Sequence, residues 1–281
     1  MKPVLFILFN FCYFYVLAQT INNKTHSNKN DTIALSQLIQ PVLKEVSGIA
    51  DSKTHPGMLW AHEDSGRPPQ LYLINREGQL KKSIAIKDVY NRDWEDMTLS
   101  NGYIYIGNIG DNARRYTQYQ FFRFEEPTLS IDTIRKVQTI RFQYPDGAHD
   151  AEAFLVEPKG DITIITKRDS LSCIYLLQAP FVSDSIYKAL LVGHLPFNGV
   201  VSAALSPDGR RILVKTYMSL LMYNRPLGMS LAQALKGKPT RMPYHLEPQG
   251  EAVSFALDGS GYFTLSEEGF SKGVALWYYR W

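Results

Sequence analysis

The sequence predicts an all-β chain folded as a single β-propeller. Three observations carry the prediction: an element repeated five times at about fifty-residue intervals, a hairpin signal after every copy, and an apolar strand after every hairpin. The element reads Glu45-Val46-Ser47-Gly48-Ile49, Asp93-Trp94-Glu95-Asp96-Met97, Asp150-Ala151-Glu152-Ala153-Phe154, Val201-Ser202-Ala203-Ala204-Leu205 and Gln249-Gly250-Glu251-Ala252-Val253. Taking Ile49, Met97, Phe154, Leu205 and Val253 as equivalent gives spacings of 48, 57, 51 and 48. Periods of that size filled with strands mark a ring of blades.

Within each repeat the hairpin turns are Lys53-Thr54-His55-Pro56-Gly57, Ser100-Asn101-Gly102, Glu157-Pro158-Lys159-Gly160, Ser206-Pro207-Asp208-Gly209 and Leu257-Asp258-Gly259-Ser260-Gly261. Pro presets φ, and Asn, Asp or Gly tolerate the remaining turn angles. The strands that follow, Met58–His62, Tyr103–Ile109, Asp161–Lys167, Arg211–Tyr217 and Tyr262–Ser266, are aromatic and β-branched, as strand propensity favours. Third strands are expected at Gln70–Asn75, Gln120–Phe124, Cys173–Gln178, Leu220–Tyr223 and Ala275–Tyr279, and outer strands at Lys82–Ile86, Thr139–Gln143 and Ala189–Gly193. The last repeat has room for only three strands, so Thr32–Leu38 is expected to supply the fourth and latch the ring. The one helical signal is Ser230–Leu235, with Ser230 placed to cap it. The reading is five blades, or six if the long second repeat holds an additional sheet.

Residues 1–18 read as a signal peptide, with Lys2, an apolar run from Val4 to Val16 and small Ala18 before Gln19. Residues 19–31 read as a polar leader, and 32–281 as the propeller domain. The expected location is therefore periplasmic or extracellular, with no transmembrane segment in the mature chain. Lipid attachment at Cys12 is a second option, although bulky Phe11 precedes it. Cys173 would then be the lone cysteine of the mature chain, so no internal disulfide forms and the thiol reads as a packed small hydrophobe. The net charge is +3 with 20% charged residues. No basic block suggests nucleic acid.

Adjacent antiparallel strands bring the acid element of each repeat beside the polar end of its second strand, at one mouth of the ring. The groups so formed are Glu45 with His62, Glu63 and Asp64; Arg92, Asp93, Glu95 and Asp96 with Asn108, Asp111 and Asn112; His149, Asp150 and Glu152 with Lys167, Arg168 and Asp169; Ser202 with Lys215, Thr216 and Tyr217; and Gln249 and Glu251 with Ser266, Glu267 and Glu268. Two carboxylates about 5 Å apart repel by roughly 3 kcal/mol at an effective dielectric near 20. A crowd of them must protonate, pair with Arg92, Lys167, Arg168 or Lys215, or hold a cation. Glu45, Asp64, Glu95, Asp111, Glu152 and Glu251 are the candidate oxygen ligands for a hard divalent cation such as Ca²⁺. His62 and His149 are candidate general bases; without a Cys partner or an HExxH arrangement they give no zinc signature.

The words Glu45-Val46-Ser47-Gly48-Ile49, Trp60-Ala61-His62-Glu63-Asp64-Ser65-Gly66, Asn91-Arg92-Asp93-Trp94-Glu95-Asp96, Gly107-Asn108-Ile109-Gly110-Asp111-Asn112, Tyr144-Pro145-Asp146-Gly147-Ala148-His149-Asp150-Ala151-Glu152-Ala153, Thr166-Lys167-Arg168 and Pro248-Gln249-Gly250-Glu251-Ala252 resemble a family of exported bacterial β-propellers related to the phytase-like, esterase-like and SdiA-regulated propellers. The resemblance runs from about Lys44 to Ser266. It implies a propeller with an acidic mouth, and carries over no catalytic residue. Two functions follow. In the first, the mouth binds a divalent cation and a small polar or anionic ligand and hydrolyses an ester or phosphate ester. In the second, the acids fasten blades and the propeller binds a ligand or protein without catalysis.

Overall fold

The computed structural model describes residues 33–38, 43–247, 249–268 and 274–281; the expected signal peptide and leader lie outside them. In chain order, β1 (Ile33–Leu38) precedes β2 (Val46–Asp51), β3 (Met58–Glu63), β4 (Gln70–Asn75) and β5 (Leu80–Ile86). Next come β6 (Trp94–Ser100), β7 (Tyr103–Asn108), β8 (Tyr119–Glu125), β9 (Thr133–Ile134) and β10 (Gln138–Gln143). Then follow β11 (Ala151–Val156), β12 (Ile162–Thr166), β13 (Cys173–Leu177), β14 (Ile186–Lys188) and β15 (Leu190–His194). The chain ends with β16 (Val200–Leu205), β17 (Arg211–Thr216), β18 (Ser219–Asn224), α1 (Leu231–Ala234), β19 (Thr240–Met242), β20 (Gly250–Phe255), β21 (Gly261–Ser266) and β22 (Ala275–Arg280). These strands make five sheets, and the fold is a five-bladed propeller.

The extra length of the second repeat forms no sixth blade. It carries β9, which pairs in parallel with β5 and so extends the first blade outward. Likewise β14, between the third blade's last two strands, adds in parallel to β10 of the second blade. Closure is as expected: β1 pairs antiparallel with β22, from Ile33 opposite Arg280 to Leu38 opposite Ala275. Helix α1 is a single turn with a full capping box between Ser230 and Gln233.

The innermost strands are buried on both faces because each blade packs against two others, and the core divides into five clusters, one per blade interface. Between the second and third blades, Phe121 and Phe142 stack at 5.4 Å and Phe154 meets Phe121 edge-on at 4.9 Å. Tyr279 stacks on Tyr262 at 4.9 Å and Tyr278 on Phe263 at 4.7 Å, so these terminal aromatics pack the last blade. The two-residue turn Asn101-Gly102 has φ of 49° and 78°, the left-handed pair that Asn-Gly supplies.

All five innermost strands carry a register shift against their neighbours at the same depth, bulging at Ser47, Asp96, Glu152, Val201 and Glu251. The bulges correct the sequence alignment. Ile49, Phe154 and Val253 are equivalent, but their counterparts are Thr98 rather than Met97 and Ala203 rather than Leu205. Glu45, Glu95 and Glu152 therefore occupy three different registers, and only Glu152 and Glu251 share one.

The bulges also place a polar hub on the axis. Asp96, at φ 54°, accepts hydrogen bonds through Oδ1 from Ser202 Oγ (3.0 Å) and Met97 N (2.9 Å), and through Oδ2 from Ala203 N (3.0 Å) and Phe154 N (3.5 Å). Ser202 Oγ in turn accepts from Val253 N at 3.1 Å. Ser47 Oγ donates to Trp94 O at 2.7 Å, and His62 Nε2 lies 3.0 Å from Asp96 O. Gly48 makes room: a Cβ there would collide with the His62 ring and lie 2.8 Å from the Asp96 backbone. Asp96→Ala strands several buried donors, each worth about 1–3 kcal/mol when unsatisfied. The expected loss in a denaturant melt is at least about 3 kcal/mol; a loss under about 1 kcal/mol would show that the hub does not hold the blades.

Candidate functional site

At the bulge of β6, neighbouring residues serve different groups. Asp96 points into the hub while adjacent Glu95 joins Glu152 and Glu251 above it, where one carboxylate oxygen of each lies within 4.8 Å of the others. All three are buried. Glu95 also belongs to a second group with Asp64 and Asp93. One residue beyond the pair that flanks each bulge on the mouth side, the second strands carry Asp64, Asn108, Lys167, Tyr217 and Glu267.

One ammonium serves two of the three glutamates. Lys167 Nζ donates to Glu152 Oε1 and, at 2.9 Å, to Tyr217 Oη, and lies 3.6 Å from Glu251 Oε1, which accepts from Tyr217 Oη. Among the described residues no donor reaches the Glu95 carboxylate, and buried Glu152 Oε2 has no hydrogen-bond partner. Burial, and then the Glu152, Asp64 and Glu251 carboxylates, hold Glu95 well above the usual carboxylate range. Glu152 is raised by burial against the pull of Lys167. Burial draws Lys167 down, but Glu152 and Glu251 outweigh it and keep the ammonium above its ordinary range. Burial pushes Asp64 up to about 7 and Asp96 up to about 8, and raises Glu267 as well. Three carboxylates against one ammonium leave two negative charges at the buried centre, which protons or a divalent cation must offset.

The other candidates lie elsewhere. Glu45 is 41% exposed and pairs with Arg67 at 3.1 Å. Asp111 organises a loop, accepting from Arg115 N, Tyr116 N and Tyr119 Oη, each at 2.8 Å. Arg92 donates to the Gln118 and Asn108 carbonyls and covers the Tyr116 ring at 3.9 Å. Arg168 pairs with Asp150 at 2.6 Å and with Asn112. Lys215, fully buried, donates to Tyr244 Oη at 2.8 Å and to Gly250 O, with Glu247 Oε2 at 3.9 Å; burial lowers its pKa and raises that of Glu247. His62 is sealed in the hub, its ring nitrogens facing the carbonyls of Asp96 and Glu63, and burial lowers its pKa. His149 lies beside Asp169, Asp146 and Cys173. The structure thus gathers Glu95, Glu152, Glu251 and Lys167, with Asp64 alongside. Asp93, Tyr217 and Glu267, which the sequence places at the mouth but not among the candidate ligands or catalytic groups, complete it; Tyr217 and Glu267 are the register equivalents of Lys167.

The opposite mouth is different. There the ends of the inner strands surround a cavity of about 630 Å³ lined by Met97, Leu99, Val156, Phe255, Asp51 and Arg225 among others. Of its charged groups, Arg225 pairs with Glu157, and Asp51 pairs with Arg76 at 3.4 Å and accepts from Leu257 N at 2.9 Å through Oδ2, while its Oδ1 has no partner among the described residues.

No protein-family model and no curated protein matches this chain. Among solved structures, it is similar to the PQQ-bound aldose sugar dehydrogenase of Streptomyces coelicolor, over 89% of this chain and 99% of that one, with a TM-score of 0.51 and 8% identity. Kuenenia stuttgartiensis hydrazine synthase aligns over 79% of this chain and 65% of that one, with a TM-score of 0.40 and 11% identity. The first likeness is one of propeller fold alone.

A carboxyl whose pKa is higher folded than unfolded stabilises the fold fully below its unfolded pKa, and that contribution is lost as pH rises through the folded value. With Asp64 raised from 3.8 to about 7 and Asp96 from 3.8 to about 8, the chelated protein should lose Tm progressively as pH climbs from about 4 to about 8, by on the order of 5 °C in a thermal melt. A flat or rising Tm over that window would contradict the buried-acid assignment.

Proposed function

We propose that the acidic mouth is a divalent-cation site formed by Glu95, Glu152 and Glu251, with Asp64 beside it, and that it presents the cation and Lys167 to a small anionic ligand. The observation that carries this reading is the buried three-glutamate cluster, in which Glu95 and Glu152 Oε2 have no donor among the described residues. The all-oxygen donor set suits a hard cation, with Ca²⁺ foremost. We take the chain to work in the periplasm or outside the cell.

The reaction class that fits is hydrolysis of an ester or phosphate ester. A cation bound there would polarise the acyl or phosphoryl oxygen of the ligand. Binding it would release Lys167 from part of its pairing with Glu152, so that the ammonium could neutralise the ligand's charge. Tyr217 Oη holds the ammonium in place and orients Glu251. Blade fastening, the alternative job for repeated acids, is less well supported, because Glu45, Glu95 and Glu152 stand in different registers and the hub bonds come from Asp96, Ser47 and Ser202.

The test is a thermal melt after chelation, repeated with Ca²⁺, Mg²⁺ or Mn²⁺ restored. A cation at about 100 times its Kd stabilises by about 2.7 kcal/mol, a Tm rise of roughly 5–10 °C for a domain of this size. Glu152→Gln and Glu251→Gln should remove the rise. A rise that survives both substitutions, or no rise with any ion, would refute the site. With the ion present, Lys167→Ala should raise KM for an anionic ester at least tenfold while keeping the thermal shift.

A further inference from the structure

We propose that His149, Asp169 and Cys173 form a second metal site, chemically distinct from the acidic mouth, that takes the borderline cation Zn²⁺. His149 lies in the loop before β11, Asp169 follows β12 and Cys173 opens β13, so the blade's own hairpin brings together residues twenty and more positions apart. One ligand atom from each lies within 4.8 Å of the others. The set is nitrogen, oxygen and sulfur, the combination that tetrahedral zinc accepts and that calcium does not.

Proton counting supplies the first argument. His149 Nδ1 is 3.0 Å from Asp169 Oδ2, while Nε2 is 3.2 Å from Asp146 Oδ1 and 2.9 Å from Tyr175 Oη. Tyr175 Oη is also 2.8 Å from Asp146 Oδ2. A neutral imidazole and a phenol bring two protons to these four contacts. The Tyr175 proton goes to Asp146 or to Nε2, and the imidazole proton serves one ring nitrogen, so at least one pair of lone pairs is left facing at hydrogen-bond distance. One more proton, on the imidazole or on a carboxyl, or a metal ion in its place, resolves that contact.

The surroundings favour the ion. Cys173 Sγ makes a long 3.8 Å contact to Leu171 O and also meets Asp169, Tyr175 and Thr166, so thiol, carboxylate and imidazole share one small polar pocket. Buried Tyr144 Oη has no partner among the described residues, and its ring lies 4.9 Å from His149 and 4.7 Å from Tyr175. Asp146 accepting from Nε2–H would fix the tautomer with Nδ1 free to ligate, as carboxylates behind metal-bound histidines do. Arg114 takes the other Asp169 oxygen at 2.9 Å and leaves Oδ2 for the ion. Side-chain adjustment within rotamer wells would bring the three atoms to the roughly 3.5 Å separations of zinc ligands. A thiol–imidazole nucleophilic pair is not built here, because Nε2 is taken by Asp146 and Tyr175.

The probe is Co²⁺ alone, titrated into the full chain after chelation. A near-ultraviolet thiolate-to-cobalt band that saturates at one equivalent, and that Zn²⁺ but not Ca²⁺ displaces, is the expected result. Cys173→Ser should abolish the band, and His149→Gln should weaken Zn²⁺ binding at least tenfold. Glu152→Gln should change neither, which separates this site from the acidic mouth. Absence of the band, or Zn²⁺ affinity unchanged by Cys173→Ser, overturns the proposal. As a check independent of variant folding, Zn²⁺ should slow alkylation of the Cys173 peptide at least tenfold in the unsubstituted protein, and an equal rate overturns it.

Discussion

The ring is organised around one carboxyl group. Five innermost strands meet at the axis with their peptide groups removed from water, and each unpaired N–H there is costly. Asp96 answers for several at once, collecting donors from Met97, Ser202, Ala203 and Phe154 and so joining the second, third and fourth blades, while Ser202 passes the connection to Val253 in the fifth. The first blade joins through Ser47 and His62. The left-handed bulge at Asp96 makes this possible, and the same bulge turns Glu95 the opposite way. A structural centre and a candidate chemical centre are thus adjacent residues of one strand.

The two ends of the axis differ in kind. Above the hub, carboxylates crowd around one lysine; below it, strand ends enclose a cavity in which Arg225 is already paired with Glu157. The acidic end is expensive to keep ionised and empty, since burial and mutual repulsion both oppose charge there. Such a centre is a means of selecting a cation by its charge and oxygen preference. The His149 cluster selects by a different property, the softness of sulfur and imidazole, and stands on one blade rather than between blades.

The period, the hairpin residues and the alternation of β-branched and aromatic positions were enough to read the architecture, including the latch by β1. They were enough because each reflects a local constraint: Asn101 and Gly102 must both reach positive φ, and each innermost strand must bury two faces. Register was less legible. A β-bulge adds one residue without leaving a composition signal, and a slip of one residue exchanges the two faces of a strand. Aligning the acids by eye therefore merged Glu45, Glu95 and Glu152, which face different surroundings. The association of Cys173 with His149 was illegible for another reason: nothing in their spacing shows that a hairpin returns one beside the other, so His149 was judged to have no cysteine partner.

The latch gives the chain a peculiar order of completion. The first strand of the ring pairs with the last, Ile33 against Arg280, so this seam joins segments that lie far apart in the chain. Loop closure over that span makes the final step one of high contact order. Until it occurs, β22 remains an open edge able to accept a strand from another molecule. The growing propeller is therefore most exposed to misassembly at the moment when four of its five interfaces are already built, and one short terminal strand ends that exposure.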